Sequence, residues 1–273
     1  MPRKLTQARL VLIALLVATP ALLAPGRASG GGFTPATFDA WIRMRTGGDG
    51  RPVYWYASGR VMNERTGELL SLMEGVDTST VLRDPARPGT WVQLSRKIFI
   101  SLDPRTGELL KGADGRPRPP IAYPFQVKTY RLEGDEIVYE VESHDGARTF
   151  AEPPKRNYTV RQLGSVTHYN YAMFIDRIRP DGTRSQRFEV NDFFLRDGKG
   201  LSDEERYQYT WVGTGPGPIV SSALSWRYGS FDAMPGARLK EYIRTRAPLW
   251  LAPPKDLAEV EALRRQQPYA IAQ

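Results

Sequence analysis

The chain has 273 residues, 41% apolar and 25% charged, with 10 Phe, 6 Trp and 13 Tyr. This aromatic content excludes a wholly disordered chain and is enough for a sizeable core. The net charge of +8 falls to +4 once Arg3, Lys4, Arg9 and Arg27 are set aside, and the chain has no cysteine and only two histidines. These counts exclude disulfides, thiol nucleophiles, iron–sulfur clusters, cysteine-ligated zinc and a three-histidine metal site.

The N-terminus reads as an address. Arg3, Lys4 and Arg9 precede the apolar run Leu10–Ala18, Pro20 breaks it, and Ala24, Ala28 and Ser29 supply small residues. This is the pattern of a secretory signal peptide over residues 1–29, cleaved near Ala28 or Ser29, and the run is short for a membrane span. An uncleaved anchor is the alternative. Lipid attachment is excluded, because no cysteine follows the run. The expected location is therefore exported, periplasmic or secreted from a bacterium, with no stable membrane insertion after the signal is removed. Residues 30–273 are expected to form a single β-rich domain, with a flexible leader at 30–35 and a helix and tail at 255–273.

Beyond Gly30-Gly31-Gly32, Thr34 caps a short helix with Pro35 in its first turn and Phe38, Trp41, Ile42 and Met44 on one face. The period then changes to two. Val53–Tyr56 and Arg60–Met62 flank Ala57-Ser58-Gly59, and Leu69–Met73 follows a turn at Glu64–Gly67. Thr90–Leu94 and Lys97–Leu102 precede a turn at Asp103–Gly107, where Asp-Pro and Thr-Gly preset the backbone. The Pro-rich stretch 112–124 is a loop, and Arg116-Pro-Arg118 within it reads as solvated rather than as a nucleic-acid contact.

Phe125–Tyr130 and Ile137–Val141 alternate, and Arg148–Phe150 and Tyr158–Val160 are shorter strands. Val166–Asp176 is the longest candidate strand, and Pro180–Gly182 turns it onto Arg187–Val190 and Asp192–Leu195. Gly213–Pro218 is a rigid loop. Two amphipathic helices, Ala237–Arg244 and Asp256–Arg264, close the chain on either side of Pro253-Pro254. The 25 Gly and 22 Pro argue against a helical bundle. The reading is mainly β (all-β to α+β), an antiparallel barrel or sandwich of about ten short strands with a short N-terminal helix and C-terminal helices. Thr-Gly-Glu-Leu-Leu occurs at 66–70 and at 106–110, too short to establish a duplication.

Three stretches carry a family resemblance: Tyr54-Trp55-Tyr56, the strand and turn Arg96–Glu108, and the block Trp226, Phe231, Asp232 and Pro235 followed by a helix and Pro253-Pro254. Together they are similar to the bacterial and fungal family called domain of unknown function 1838, over about residues 36–255. The segment after the Asp-Pro turn departs from that family's pattern in being richer in Pro and lacking an Asn-Pro element. The resemblance implies one mostly β domain and no established reaction, so it assigns no catalytic residue.

His168 is the candidate general base, because alternation places it with Asn170 and Asp176 on one strand face and Tyr169 and Tyr171 on the other. A His packed in a strand is the structural alternative. His144, in a turn, is expected at the surface. Glu140 with Glu142, and Glu189 with Asp192, are the paired acids a glycosidase would need, though neighbouring acids more commonly mark a solvated face. Gly213-Thr-Gly215 is followed by Pro rather than a helix, which argues against a dinucleotide site. No nucleophile elbow is present, and no cofactor or metal is expected.

Tyr54, Tyr56, Tyr169, Tyr171, Trp211 and Trp226 are the expected ligand-binding residues, since Tyr and Trp pair an apolar body with one polar tip. The expected function is binding of a small apolar or aromatic molecule in the mouth or interior of a barrel. A cofactor-independent lyase, isomerase or hydrolase based on His168 is the alternative. No nucleic-acid partner is expected.

Overall fold

The computed structural model describes residues 31–152, 158–215 and 217–266. The expected signal peptide lies outside them, as do residue 30 of the leader and residues 267–273 of the tail. The fold is mainly β, with a short N-terminal helix and helices at the C-terminal end.

Helix α1 spans Pro35–Thr46. Thr34 and Thr37 cap it reciprocally: the Thr37 amide donates to Thr34 Oγ1 at 3.2 Å and the Thr34 amide to Thr37 Oγ1 at 2.8 Å. Gly47, at φ 81°, ends it where a side chain would be strained. Its apolar face buries Phe38, Trp41, Ile42 and Met44.

Among the described residues eleven strands follow: β1 Val53–Asn63, β2 Leu69–Arg83, β3 Trp91–Leu102, β4 Ile121–Glu133, β5 Glu136–Ser143, β6 Arg148–Glu152, β7 Tyr158–Leu163, β8 Val166–Ile178, β9 Arg184–Arg196, β10 Tyr207–Thr214 and β11 Ile219–Tyr228. They form one antiparallel sheet in the order β6-β5-β4-β3-β2-β1-β11-β10-β9-β8-β7, with a further pairing of β6 to β8. The outer edge of β8 is thus shared. β7 takes its first half, Val166 to Tyr171, and β6 takes Phe174 to Ile178. This second pairing carries the sheet round to its own beginning, so the architecture is a curled, barrel-like sheet rather than a sandwich.

The strands are longer than expected, and the reasons are local. Ala57-Ser58-Gly59 is the middle of β1 and joins the two expected strands either side of it. A Cβ at Gly59 would lie 2.3 Å from the Ser222 carbonyl of β11, so the glycine permits a close approach of two strands. The expected strands either side of Ser95-Arg96 are one strand, β3, and β2 runs on from Met73 to Arg83. The repeated Thr-Gly-Glu-Leu-Leu marks the same turn used twice. Asn63 Oδ1 accepts from the amides of Arg65 and Thr66, and Asp103 Oδ1 accepts from those of Arg105 and Thr106.

Helix α2, Asp203–Arg206, joins β9 to β10, and after β11 residues 237–264 pack on the outside of the sheet. Helix α3 (Ala237–Arg246) and a 3-10 turn at Pro248–Leu251 cover Tyr54, Tyr56, Val76, Ile98 and Ile100. Helix α4 (Leu257–Arg264) covers Val92, Leu94 and Phe125. Where these segments cross β3 and β4 the register slips between Ser95 and Lys97. Pro124 sits in that slip, where a residue without an amide proton is tolerated. The outer segment satisfies the groups released. The Trp250 indole N–H reaches the carbonyls of Lys97 at 2.8 Å and Tyr123 at 3.2 Å, and Arg96 donates to the carbonyls of Pro124 at 3.0 Å and Ala252 at 2.6 Å. Trp250→Phe keeps the buried ring and removes the donor. It is expected to cost about 1–3 kcal/mol of stability, read as a lower urea midpoint at unchanged slope.

Candidate functional site

The inner face of the sheet divides into two zones. Around α1 it is filled with large side chains. Trp41 meets Tyr130 edge to face at 5.0 Å and Phe193 at 6.4 Å, and Trp55, Trp91, Ile137, Tyr169 and Met173 complete the packing. Helix α1 therefore stoppers that end of the barrel. Arg227 of β11 fixes the stopper, donating to the carbonyls of Arg43 at 2.6 Å and Met44 at 2.8 Å, the last turn of α1. The Trp55 indole holds the Arg45 carbonyl at 2.9 Å.

Toward the other end the inward positions of β1, β10 and β11 become small: Ala57, Gly213, Ser221 and Ala223. The space left is a cavity of about 440 Å³, open at the rim, within the range of small-molecule sites. Tyr123, Tyr139, Tyr171, Tyr209 and Trp211 supply aromatic wall, and Val61, Met73, Val141 and Ile175 supply aliphatic wall. The Phe99 ring also reaches the cavity because residue 75 is glycine. A Cβ there would stand 1.9 Å from the ring.

The cavity floor is charged. Asp77 Oδ2 lies 3.4 Å from Lys97 Nζ, 3.4 Å from Lys128 Nζ and 3.8 Å from Arg45 Nη2. All four side chains line the cavity. Burial alone would raise the Asp77 pKa, but Lys128, Lys97 and Arg45 together hold it below the usual carboxylate range. Burial pushes Lys128 well below the ordinary amine, with Lys97 and Arg45 adding to the effect against the pull of Asp77. Burial acts the same way on Lys97 and is the largest single effect, yet Asp77, Tyr209 and Glu189 together outweigh it and the pKa rises. Arg45 is raised too, burial being overcome by Tyr130, Tyr171 and Asp77. Burial raises the Tyr171 phenol well above its ordinary value, so this wall group is a neutral hydroxyl at neutral pH. Two acceptors on the floor, Asp77 Oδ1 and Gln126 Oε1, have no hydrogen-bond partner among the described residues. Nearer the rim, Arg187 pairs with Glu189 at 2.9 Å and Arg177 with Asp145 at 2.5 Å.

Of the expected ligand-binding residues, the cavity brings together Tyr171 and Trp211. Tyr169 faces inward but lies in the stopper, stacked on Phe33 at 5.8 Å, and does not line the cavity. Tyr54, Tyr56 and Trp226 are on the outer face, packed under α3 and the 3-10 turn, because β1 and β11 pair Tyr54 with Tyr228 and Tyr56 with Trp226.

His168 also faces outward, which corrects the expectation that it stands at the cavity wall. It stacks on Phe194 at 5.0 Å, and its Nε2 lies 2.8 Å from Asp192 Oδ1, which also accepts from Asn170 at 2.5 Å. His168 and Asn170 share a face as alternation required, but it is the face turned away from the cavity. His144 is half-buried rather than at the surface, its ring edge-on to Tyr123 at 5.6 Å, and burial lowers its pKa.

Neither pair of acids is brought together in the cavity. Glu189 points into the cavity while Asp192 points out, and Glu142 pairs with Arg264 at 2.8 Å on the outer face. Sequence reasoning missed the floor group, Arg45, Asp77, Lys97 and Lys128. The legible signal was the alternation of Gln126, Lys128 and Tyr130, which sets a lysine among residues that face the core.

Among the described residues no group of three or more His, Asp or Glu is placed to hold a metal, and no helix is long and apolar enough to cross a membrane. In comparisons with protein-family models and with curated proteins, the chain matched none.

Proposed function

We propose that this chain is an exported binding protein that holds a small apolar or aromatic molecule inside its barrel. The observation that carries the reading is the cavity: about 440 Å³, stoppered by α1 at one end, open at the other, and walled by Tyr and Trp. Such a shape removes most of an aromatic ligand's surface from water while leaving a route in and out. The signal-like residues 1–29 support export, and mass spectrometry of the mature protein from its native compartment tests this. A chain that begins at Met1 or Pro2 would overturn export.

Binding is tested with the neutral fluorescent probe N-phenyl-1-naphthylamine. Saturable enhancement at one probe per chain is expected. Ala223→Phe, which fills the cavity from β11, is expected to weaken it at least tenfold. His168→Ala is expected to leave the affinity within twofold, because His168 stands on the other face of the sheet. The same placement gives the enzymatic alternative no support from His168 at the cavity. Unsaturable probe uptake that Ala223→Phe does not change would end the binding reading.

A further inference from the structure

We propose that the molecule held in the cavity is an anion, an aromatic or apolar body ending in a carboxylate that seats against Lys97 and Arg45 at the floor. This rests on the binding function proposed above and adds the ligand's chemical class. The argument is one of charge. Six cationic side chains line the cavity, Arg45, Lys97, Arg118, Lys128, Arg177 and Arg187, against two acids, Asp77 and Glu189. Near the rim, Arg187 and Arg177 have their own carboxylates. At the floor one carboxylate serves three cations, all within 4 Å of the single oxygen Asp77 Oδ2.

A carboxylate sharing its oxygen three ways cannot satisfy all the donors around it. An ammonium carries three donors and a guanidinium five. Burying such an excess of positive charge is costly unless a counter-charge completes it. Even with Lys128 counted as neutral, since burial depresses its amine, Arg45 and Lys97 outnumber Asp77. Lys97 is the least enclosed of the three cations, with 24% of its side chain exposed, and is the one a ligand meets first. Charge-assisted hydrogen bonds from these groups to a carboxylate are the stronger kind. The walls specify the remainder: Tyr139, Tyr171, Tyr209 and Trp211 flank a body of low polarity. The unpartnered acceptors Asp77 Oδ1 and Gln126 Oε1 call for a donor, which a hydroxyl on the same ligand provides.

Isothermal titration of the full chain with naphthalene-2-carboxylate, its methyl ester and 2-(aminomethyl)naphthalene, all at pH 7, separates charge from shape. The acid is expected to bind at least tenfold more tightly than the ester, and the amine less tightly than the ester. Lys97→Met should erase the preference for the acid and leave the ester unchanged, an effect that simple loss of packing does not produce. Asp77→Asn should move the acid's affinity upward, because it removes the competing negative charge. If that variant does not fold, Lys97→Met decides alone. Equal binding of acid and ester, or tightest binding of the amine, would overturn the anion assignment while leaving the binding function intact. If none of the three binds, both fail.

Discussion

A Trp41→Ala chain unfolds about 3–5 kcal/mol more easily than the parent, the cost of truncating a large, fully packed aromatic side chain. Trp41 is 2% exposed and is the centre of the α1 stopper. Its ring contacts Tyr130, Phe33 and Phe193 edge to face. Truncation leaves a void that the surrounding strands cannot close, because the sheet curves round it and each strand is hydrogen-bonded on both sides. The indole N–H has no hydrogen-bond partner among the described residues, so Trp41→Phe removes no polar contact seen there and is expected to cost about 1.5 kcal/mol or less. Urea unfolding of the two variants side by side makes the test. Similar losses for both would place the energy in something other than ring volume. Because Trp41 also lines the cavity, the alanine variant should take up larger probes than the parent.

Asp77→Ala is expected to be comparably damaging, by about 3–5 kcal/mol, through charge instead of volume. It leaves Arg45, Lys97 and Lys128 enclosed with no acid beside them. The pH dependence carries the signature. Lys128, Lys97 and Arg45 overcome burial to hold the native Asp77 pKa below its ordinary value. Between the native and unfolded values the unfolded chain binds more protons, so stability rises with pH there. The contribution of Asp77 is complete above about pH 4, the ordinary carboxylate value, and is lost as pH falls through the lower native one. Urea midpoints measured from pH 2 to 7 should therefore fall less steeply in acid for Asp77→Ala than for the parent. A second variant, Asp77→Leu with Lys128→Met, replaces an ion pair by apolar side chains and should recover part of the loss. No recovery, together with an unchanged acid slope, would mean that the floor cluster contributes little to folding.

Alternation and turn chemistry identified most of the elements, because both act over a few residues. The capped helix at Thr34, the Asp103 turn and the C-terminal helices all depend on contacts within five positions. What alternation cannot tell is which face is inside when both faces are covered. Tyr54, Tyr56 and Trp226 read as ligand contacts because they are aromatic and share a period of two, and they are indeed buried or half-buried, but against α3 and the segment after it. The decisive partner lies 197 residues away in the chain for Tyr54, whose hydroxyl reaches the Leu251 carbonyl at 3.2 Å. The slip at Pro124 had a similar effect on β4. It places Tyr123 and Gln126 on the same inner face although they are three positions apart, and strict alternation forbids that. The floor cluster draws on α1, β2, β3 and β4, and no local pattern announces a site assembled from four elements. His168 was legible as a strand residue, and its orientation was not.

The pairing of β1 with β11 sets the timetable of folding. Tyr54 must find Tyr228, and Asn63 must find Ile219, across loops far longer than those of the neighbouring hairpins. The hairpins β2–β3, β8–β9 and β10–β11 involve residues close in sequence and can zip as soon as they are made, whereas closure through β1 waits until almost the whole chain is present. Contacts so distant in sequence slow folding and prolong the exposure of unpaired strand edges. A ribosome-bound chain halted before residue 219 has every strand up to β10 and no partner for the free side of β1. Such a chain cannot protect Val53–Asn63 on that side, and its hydrogen exchange should show β1 as the last strand to gain protection once synthesis resumes.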